Sequence, residues 1–208
     1  ETYAPTARGD SVRMMFAQAA LRAWDIDHLD VGTAYLHADM DEEVYVECPE
    51  GFHEYDEDGE AMVHRLRKSL YGTKQAGRNW YHTAKAAVIN CGFVETEADP
   101  CMFWHPEKKA ALALYVDDLL LGGGTAEWRT SVRLSLNENF PTKLVPEGER
   151  TLGLEVHRKD GTYKLTQTVF IDELVEKYGL ADAAPVKTPM MVSDDKRAVH
   201  PEDKMMEK

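Results

Sequence analysis

Cysteine is scarce in this chain and unpatterned: Cys48, Cys91 and Cys101 are the only three in 208 residues, and no two stand in a C-x-x-C spacing. That excludes a disulfide framework and leaves no sequence signature for structural zinc. No apolar run nears the roughly 20 residues that span a bilayer, and no signal-peptide pattern opens the chain, so no membrane partner is expected. A reduced, intracellular globular protein is the expected class, built as one domain or a domain with an appendage. The first residues, Glu1-Thr2-Tyr3, lack an initiating methionine, as a processed piece or a fragment would.

Positive charge is also short. The chain carries 24 Lys and Arg against 37 Asp and Glu, a formal net charge of −13. Taken globally, that argues against non-specific binding to polyanions. The distribution is uneven, however. Eleven acids crowd the stretch from Asp39 to Glu60, whereas no acid at all occurs from Ala61 to Val94, which holds Arg65, Arg67, Lys68, Lys74, Arg78 and Lys85. A purely basic segment on an acidic scaffold is what a phosphate-contacting surface looks like, and chance clustering produces the same pattern.

What is present reads as alternating helices and short strands. Asp10 or Ser11 is placed to cap a helix with Val12, Met15, Phe16, Ala19 and Ala20 at helical spacing, ending near Trp24. Ile26 to Val31 reads as a buried strand closed by Asp30, and Glu43 to Glu47 and Met62 to Leu66 as further strands. Lys74 to Asn90 reads as a helix stopped by Gly92, with Trp80, Ala84, Ala87 and Val88 inward. Met102 to Trp104 and Ala111 to Tyr115 are strands, and Thr125 caps a helix to about Phe140. Leu152 to His157 pairs with Tyr163 to Leu165 across the Asp160-Gly161 turn, before a helix from Val169 to Tyr178 closed by Gly179. Residues 186–208 are polar and aperiodic, a tail or linker after a domain over 1–185. The hairpins indicate antiparallel pairing, so the expected class is α+β.

The chemistry concentrates at Tyr115-Val116-Asp117-Asp118, where two acids interrupt an apolar run, Ala111 to Leu114 before them and Leu119 to Leu121 after. That pattern reads as a hairpin with both acids at its tip. Neighbouring half-buried carboxylates raise each other's pKa, a penalty that a bound divalent cation removes. Taken alone, the pair is more simply an Asp-Asp turn in a plain meander, and it has to be weighed with the rest of the chain. Asp30 is in turn either a cap for the following segment or a third ligand. If its strand neighbours the hairpin, three carboxylates converge, a set that suits two Mg²⁺ ions about 3.5–4 Å apart for in-line nucleotidyl transfer.

Four motifs in order extend this reading. Asp30-Val31-Gly32-Thr33-Ala34-Tyr35, then Ser69-Leu70-Tyr71-Gly72-Thr73-Lys74-Gln75 with Trp80-Tyr81, then Tyr115-Val116-Asp117-Asp118, then Leu152-Gly153-Leu154-Glu155 resemble the reverse transcriptase of copia-type LTR retrotransposons. The flanks Tyr3 to Arg8, Glu47 to Phe52, Ala98 to Cys101 and Lys187 to Met190 agree, so the resemblance covers about residues 2 to 190. It implies an RNA-directed DNA polymerase with the palm fold, a ferredoxin-like antiparallel sheet backed by helices, and partial fingers. Asp30, Asp117 and Asp118 match the family's catalytic, metal-binding carboxylates, with the Val31 carbonyl as a further ligand, for two Mg²⁺ ions or Mn²⁺ in their place. Tyr35 matches the aromatic that blocks a ribose 2′-hydroxyl; a packed tyrosine after a strand is its plainer role. Tyr71, Gly72 and Gln75 match the segment along template and incoming nucleotide. Lys74 and Arg78 share that segment, with a solvated surface role open to Arg78. Tyr115 lies in the third motif, and Leu152 and Gly153 fall where the family grips the primer strand. Lys143, after the Gly124-to-Phe140 helix, falls in the region that protonates pyrophosphate.

The resemblance implies an RNA or DNA template with primer and dNTPs as partners, RNase H and integrase segments in a parent Pol polyprotein, and an intracellular location in a cytoplasmic virus-like particle or the nucleus. The sequence also departs from the family. Ala76-Gly77 stand where the family has Ser-Pro or Ala-Pro after the glutamine, which relaxes the helix start. The chain also begins after the basic fingers strands that hold the triphosphate in the family. A truncated, non-catalytic remnant that at most binds nucleic acid is the alternative. A palm-fold nucleotidyl cyclase would share the paired acids but gives no reason for the Tyr71-Gly72 segment.

Overall fold

Alternation along Ile26–Val31 sets the architecture: Leu29 and Val31 are each 1% exposed, while His28 and Asp30 are half-buried. A strand with two unlike faces results. The structure, a computed structural model, describes residues 2–184, and the tail expected over 186–208 and the Lys187–Met190 flank lie outside the described residues. α1 (Gly9–Arg22) leads into β1 (Ile26–Val31), a 3₁₀ turn (Ala34–His37), β2 (Tyr45–Glu47) and β3 (Val63–Arg65). α2 (Ala76–Asn90) follows, then β4 (Val94–Glu95), β5 (Met102–His105), β6 (Ala110–Tyr115) and β7 (Asp118–Gly122). α3 (Ala126–Asn137), β8 (Thr142–Leu144), β9 (Arg150–Thr151), β10 (Leu154–Lys159) and β11 (Thr162–Thr166) complete a compact unit that ends at Gln167. A second unit starts at Thr168 with α4 (Thr168–Lys177), which Gly179 closes at φ 64° as Leu180 N–H donates to Val175 O at 2.8 Å.

Six strands form one antiparallel sheet in the order β4-β5-β6-β7-β1-β8. β9, β10 and β11 form a second sheet, and β2 and β3 a small ribbon. The expected α+β class with antiparallel sheets is therefore present. On one face of the large sheet Leu29, Val31, Leu112, Leu114, Leu119 and Leu121 are all at most 2% exposed and join Trp80, Val88, Leu136 and Phe140 in the core. Burying each such side chain stabilises the fold by about 1.5–3 kcal/mol. α3 is fixed to this face by Arg129, only 5% exposed, which donates to Asp27 at 2.9 Å and Asp25 at 3.4 Å. α1 lies on the opposite face, so close to Gly122 that a Cβ there would sit 3.0 Å from Met15 Cε.

Three local expectations shift. Asp10 does not cap α1: the helix starts at Gly9 with Arg8 at the cap position and no side-chain cap bond, and Asp10 pairs with Arg13 at 3.2 Å in the first turn. α2 starts at Ala76 rather than Lys74, because Gly72 at φ 96° and the Thr73 N–H to Leu70 O bond of 3.0 Å hold a turn until there. β10 starts at Leu154 rather than Leu152, since the tight turn from β9 consumes Leu152 and Gly153. Thr125 does cap α3, accepting from Trp128 N–H at 3.2 Å, and Asp160-Gly161 does form the β10–β11 turn with both φ positive.

Candidate active site

β6 and β7 are joined by the shortest hairpin connection, with Tyr115 paired to Asp118 and only Val116 and Asp117 between. Val116 has φ 55°, a conformation that a β-branched residue adopts only under strain and that hairpins of this length usually give to glycine. The surroundings hold it there. Trp80 Nε1–H donates to Val116 O at 2.6 Å, and Val31 N–H donates to Asp117 O at 2.8 Å. Strain that the neighbouring structure over-determines in this way is typical of functional turns.

β1 then brings in the third acid. Asp30 is the register partner of Asp118 on β7 and of Lys143 on β8, so Asp118, Asp30 and Lys143 form a row across three strands on one face. Asp117 is exposed as a residue, yet protein around its carboxyl strips part of its water. That desolvation, reinforced by the charges of Asp118 and Asp30, holds its pKa above the ordinary carboxylate value. Among the described residues no three His, Cys, Asp or Glu side chains are gathered tightly enough to hold a metal ion. The Asp118 carboxylate is turned onto His28, accepting from its Nε2 at 2.5 Å. The backbone thus assembles the three acids without the side chains closing on a common point. The donor set still fits a hard divalent cation: it is all oxygen, and the mutual repulsion recorded in Asp117 is the cost that such a charge relieves.

The aromatic and primer-side residues fall into two groups. Tyr35, in the 3₁₀ turn, stacks on Tyr71 with ring centroids 4.6 Å apart, and it lines a 110 Å³ cavity with Val116, Trp80 and Gly77. Tyr115 and Leu152 line a second cavity of about 560 Å³. Leu152 at φ 52° and Gly153 at φ 75° are the two central residues of the β9–β10 turn, the pairing of left-handed residues that such turns require. A Cβ on Gly153 would meet nothing, so its φ and not its space calls for glycine.

The basic segment is occupied. Arg65 pairs with Glu43 at 3.1 Å, Lys68 with Asp39 at 2.6 Å, Lys85 with Glu95 at 2.5 Å and Arg78 with Asp41. Gln75 donates to Glu42 at 2.6 Å, and Asn79 donates to Asp41 at 2.9 Å. The Asn79 bond, opposed by some desolvation and helped by Arg78, holds the Asp41 carboxyl below its ordinary pKa. Of the two readings of the basic segment, a phosphate-contacting surface or chance clustering, neither anticipates that Arg65, Lys68 and Arg78 are paired with Glu43, Asp39 and Asp41 at the start of the acidic stretch. Lys74 and Arg67 are exposed cations with no side-chain partner among the described residues, and Gly72 is an exposed turn. Gln75 and Arg78 are thus held by the 39–43 segment.

Sequence reasoning missed His28 and Thr151. His28 stands two residues before Asp30 on β1 and therefore on the same face, a period-two signal that was available. Thr151 could not have been found, because the β9 strand that carries it has no pattern of its own.

The profile of the family described as "Reverse transcriptase (RNA-dependent DNA polymerase)" matches residues 1–192. Among curated proteins, the chain is 33% identical over 195 residues to the retrovirus-related Pol polyprotein from transposon TNT 1-94 of Nicotiana tabacum, covering 91% of this chain and 14% of that protein. It is likewise 33% identical to the Pol polyprotein from transposon RE1 of Arabidopsis thaliana, over 93% of this chain and 13% of that one. The Ty1-H Gag-Pol polyprotein of Saccharomyces cerevisiae is 31% identical over 78% of this chain and 9% of its own length. The chain thus spans about a seventh or less of these relatives. With a match over nearly its whole length, this chain belongs to the reverse transcriptase (RNA-dependent DNA polymerase) family.

Proposed function

We propose that this chain is the RNA-directed DNA polymerase domain of a copia-type retrotransposon Pol polyprotein, adding dNTPs to a primer 3′-end on an RNA or DNA template. The observation that carries the reading is the Asp30–Asp118 register pair with Asp117 in the adjoining two-residue turn. Three acids from two distant segments meet at the end of two neighbouring interior strands, where two Mg²⁺ ions, or Mn²⁺, would be held by Asp30, Asp117, Asp118 and the Val31 carbonyl. Bound there, the cations supply charge neutralisation and activation of the primer hydroxyl. The six-stranded sheet is the palm, and the β2–β3 ribbon with the 39–75 segment is the partial fingers.

The chain's own residues do the rest. Val116, held by Trp80, fixes the turn so that Asp117 and Asp118 keep their places. Tyr35, backed by Tyr71, closes one side of the nucleotide site and rejects a ribose 2′-hydroxyl. Gly72 and Gln75 lie along template and nucleotide. Tyr115, Leu152 and Gly153 bear on the primer, and Lys74 and Arg78 on phosphates. Lys143, opposite Asp30, is the cation closest in register to the acids and suits proton donation to the leaving pyrophosphate. In the parent protein, an intracellular one, RNase H and integrase segments accompany this domain. Among the described residues no helix is long and apolar enough to cross a membrane. The test is nucleotide selection: only the dNTP complementary to the template base is incorporated. A cyclase would instead consume nucleotide with neither primer nor template.

A further inference from the structure

Among the described residues, His28 hydrogen-bonds an acid of the Asp118–Asp30 row, and its ring is bonded at both nitrogens. Its Nε2 lies 2.5 Å from Asp118 Oδ1, and its Nδ1 lies 3.2 Å from Thr151 Oγ1. With the Asp118 oxygen as acceptor, Nε2 carries the hydrogen, and Nδ1 meets the Thr151 hydroxyl, a group able to donate or accept. Both ring nitrogens are satisfied in one tautomer, and the ring plane is set at two points. Burial strengthens the arrangement: the His28 side chain is 11% exposed, Asp118 25% and Thr151 6%. A charge-assisted bond in such a place is roughly twice as strong as a neutral one.

The geometry also has a direction. Asp118 directly faces Asp30, and His28 stands diagonally across from it on the same face of β1. His28 takes one carboxylate oxygen, and among the described residues no hydrogen bond reaches the other. Thr151 pairs with Leu154 around the Leu152-Gly153 turn. The chain of bonds therefore runs from that turn, through an imidazole, to a carboxylate at the site.

We infer that His28 is a positioning residue for Asp118: it holds one carboxylate oxygen so that the other is presented to a divalent cation, and through Thr151 it ties that carboxylate to the turn that bears on the primer. This rests on the reading of Asp118 as a cation ligand. Ligating carboxylates are commonly oriented by such outer bonds, and removing the outer partner typically costs roughly 10–100-fold in metal affinity. A histidine serving only to pack the sheet face would change stability and leave metal affinity alone.

The test measures Mn²⁺ binding by electron paramagnetic resonance to the 208-residue chain saturated with a primer–template duplex. Duplex affinity is followed separately by fluorescence anisotropy. His28→Ala is expected to weaken Mn²⁺ binding roughly 10–100-fold with duplex affinity unchanged. His28→Gln, which keeps an N–H donor for Asp118, recovers most of the loss, and Thr151→Val gives a smaller loss than His28→Ala. Because His28→Gln fills the same space, it reports even if the alanine variant folds poorly. If Asp118→Asn loses Mn²⁺ while both His28 variants bind it as the parent chain does, the inference is overturned and the polymerase reading stands. Mn²⁺ binding unaffected by Asp118→Asn overturns the ligand reading itself, and the role of His28 with it.

Discussion

Asp30 and Asp118 face each other as register partners across the β1–β7 pair, although one α-helix and five strands separate them along the chain. Two carboxylates so placed, with a third in the adjoining turn, repel one another unless a cation or a proton intervenes. Several measurable consequences rest on that repulsion and on the contacts that maintain it.

Asp117→Asn should stabilise the metal-free chain while abolishing catalysis. The folded-state pKa of Asp117 is raised by desolvation and by its acidic neighbours. Its favourable contribution to folding is therefore complete below the unfolded value of about 3.9 and is lost as pH rises through the folded value. At pH 7 to 8 in EDTA the variant should melt above the parent, and the difference should vanish on acidification below about pH 4. Mg²⁺ should raise the parent's midpoint more than the variant's. A variant less stable than the parent at pH 7 contradicts this.

Trp80→Phe removes the bond to Val116 O while keeping an aromatic ring against Phe140, whose centroid lies 4.9 Å away. The loss should be about 1–2 kcal/mol, or roughly 2–8 °C in melting temperature for a chain of this size. Because the strained turn loosens, kcat of primer extension should fall more than KM rises. Steady-state kinetics beside calorimetry checks both.

Asp41→Asn removes the carboxylate charge paired with Arg78 without removing the hydrogen-bond partner of Asn79. Affinity for primer–template should rise, and the dependence of log Kd on log salt should steepen by up to about one unit as the Arg78 charge loses its carboxylate partner. Glu57→Gln, which removes the same charge from the acidic stretch at an exposed position, serves as the control and should leave the salt slope unchanged. Equal slopes for the two variants would contradict the masking of Arg78.

Tyr35→Val should relax sugar selection. With the Tyr35–Tyr71 stack gone, the wall against a 2′-hydroxyl recedes, and rNTP incorporation relative to dNTP should rise on the order of 100-fold, the scale of steric rejection of one small group. Single-nucleotide incorporation with matched dNTP and rNTP measures it.

Much of this was legible before any coordinates, for local reasons. β1 and the β6–β7 hairpin announced themselves because Leu29, Val31 and the run Leu119 to Leu121 are apolar in a strand-like pattern around acids, and the Asp160-Gly161 turn because its chemistry is local. The ion pairing between residues 39–43 and 65–78 was not legible: composition showed two opposite charge blocks, and only the fold shows that Arg65, Lys68 and Arg78 are paired with acids while Arg67 and Lys74 stay exposed. The α1 start was misjudged because Asp10 is a good cap by residue type, whereas Arg8 N–H is held by the distant Asp99 at 2.9 Å, which sets where the helix begins. His28 needed the strand period to place it beside Asp30, and Thr151 needed the tertiary fold.

The most direct test of the central claim is RNA-templated primer extension by this chain and by its Asp117→Asn variant, with dNTPs and Mg²⁺. The account predicts template-dependent extension by the first and none by the second. Equal extension by both would show that the hairpin acids do not carry the reaction, and extension by neither would contradict the proposed activity for this stretch of residues.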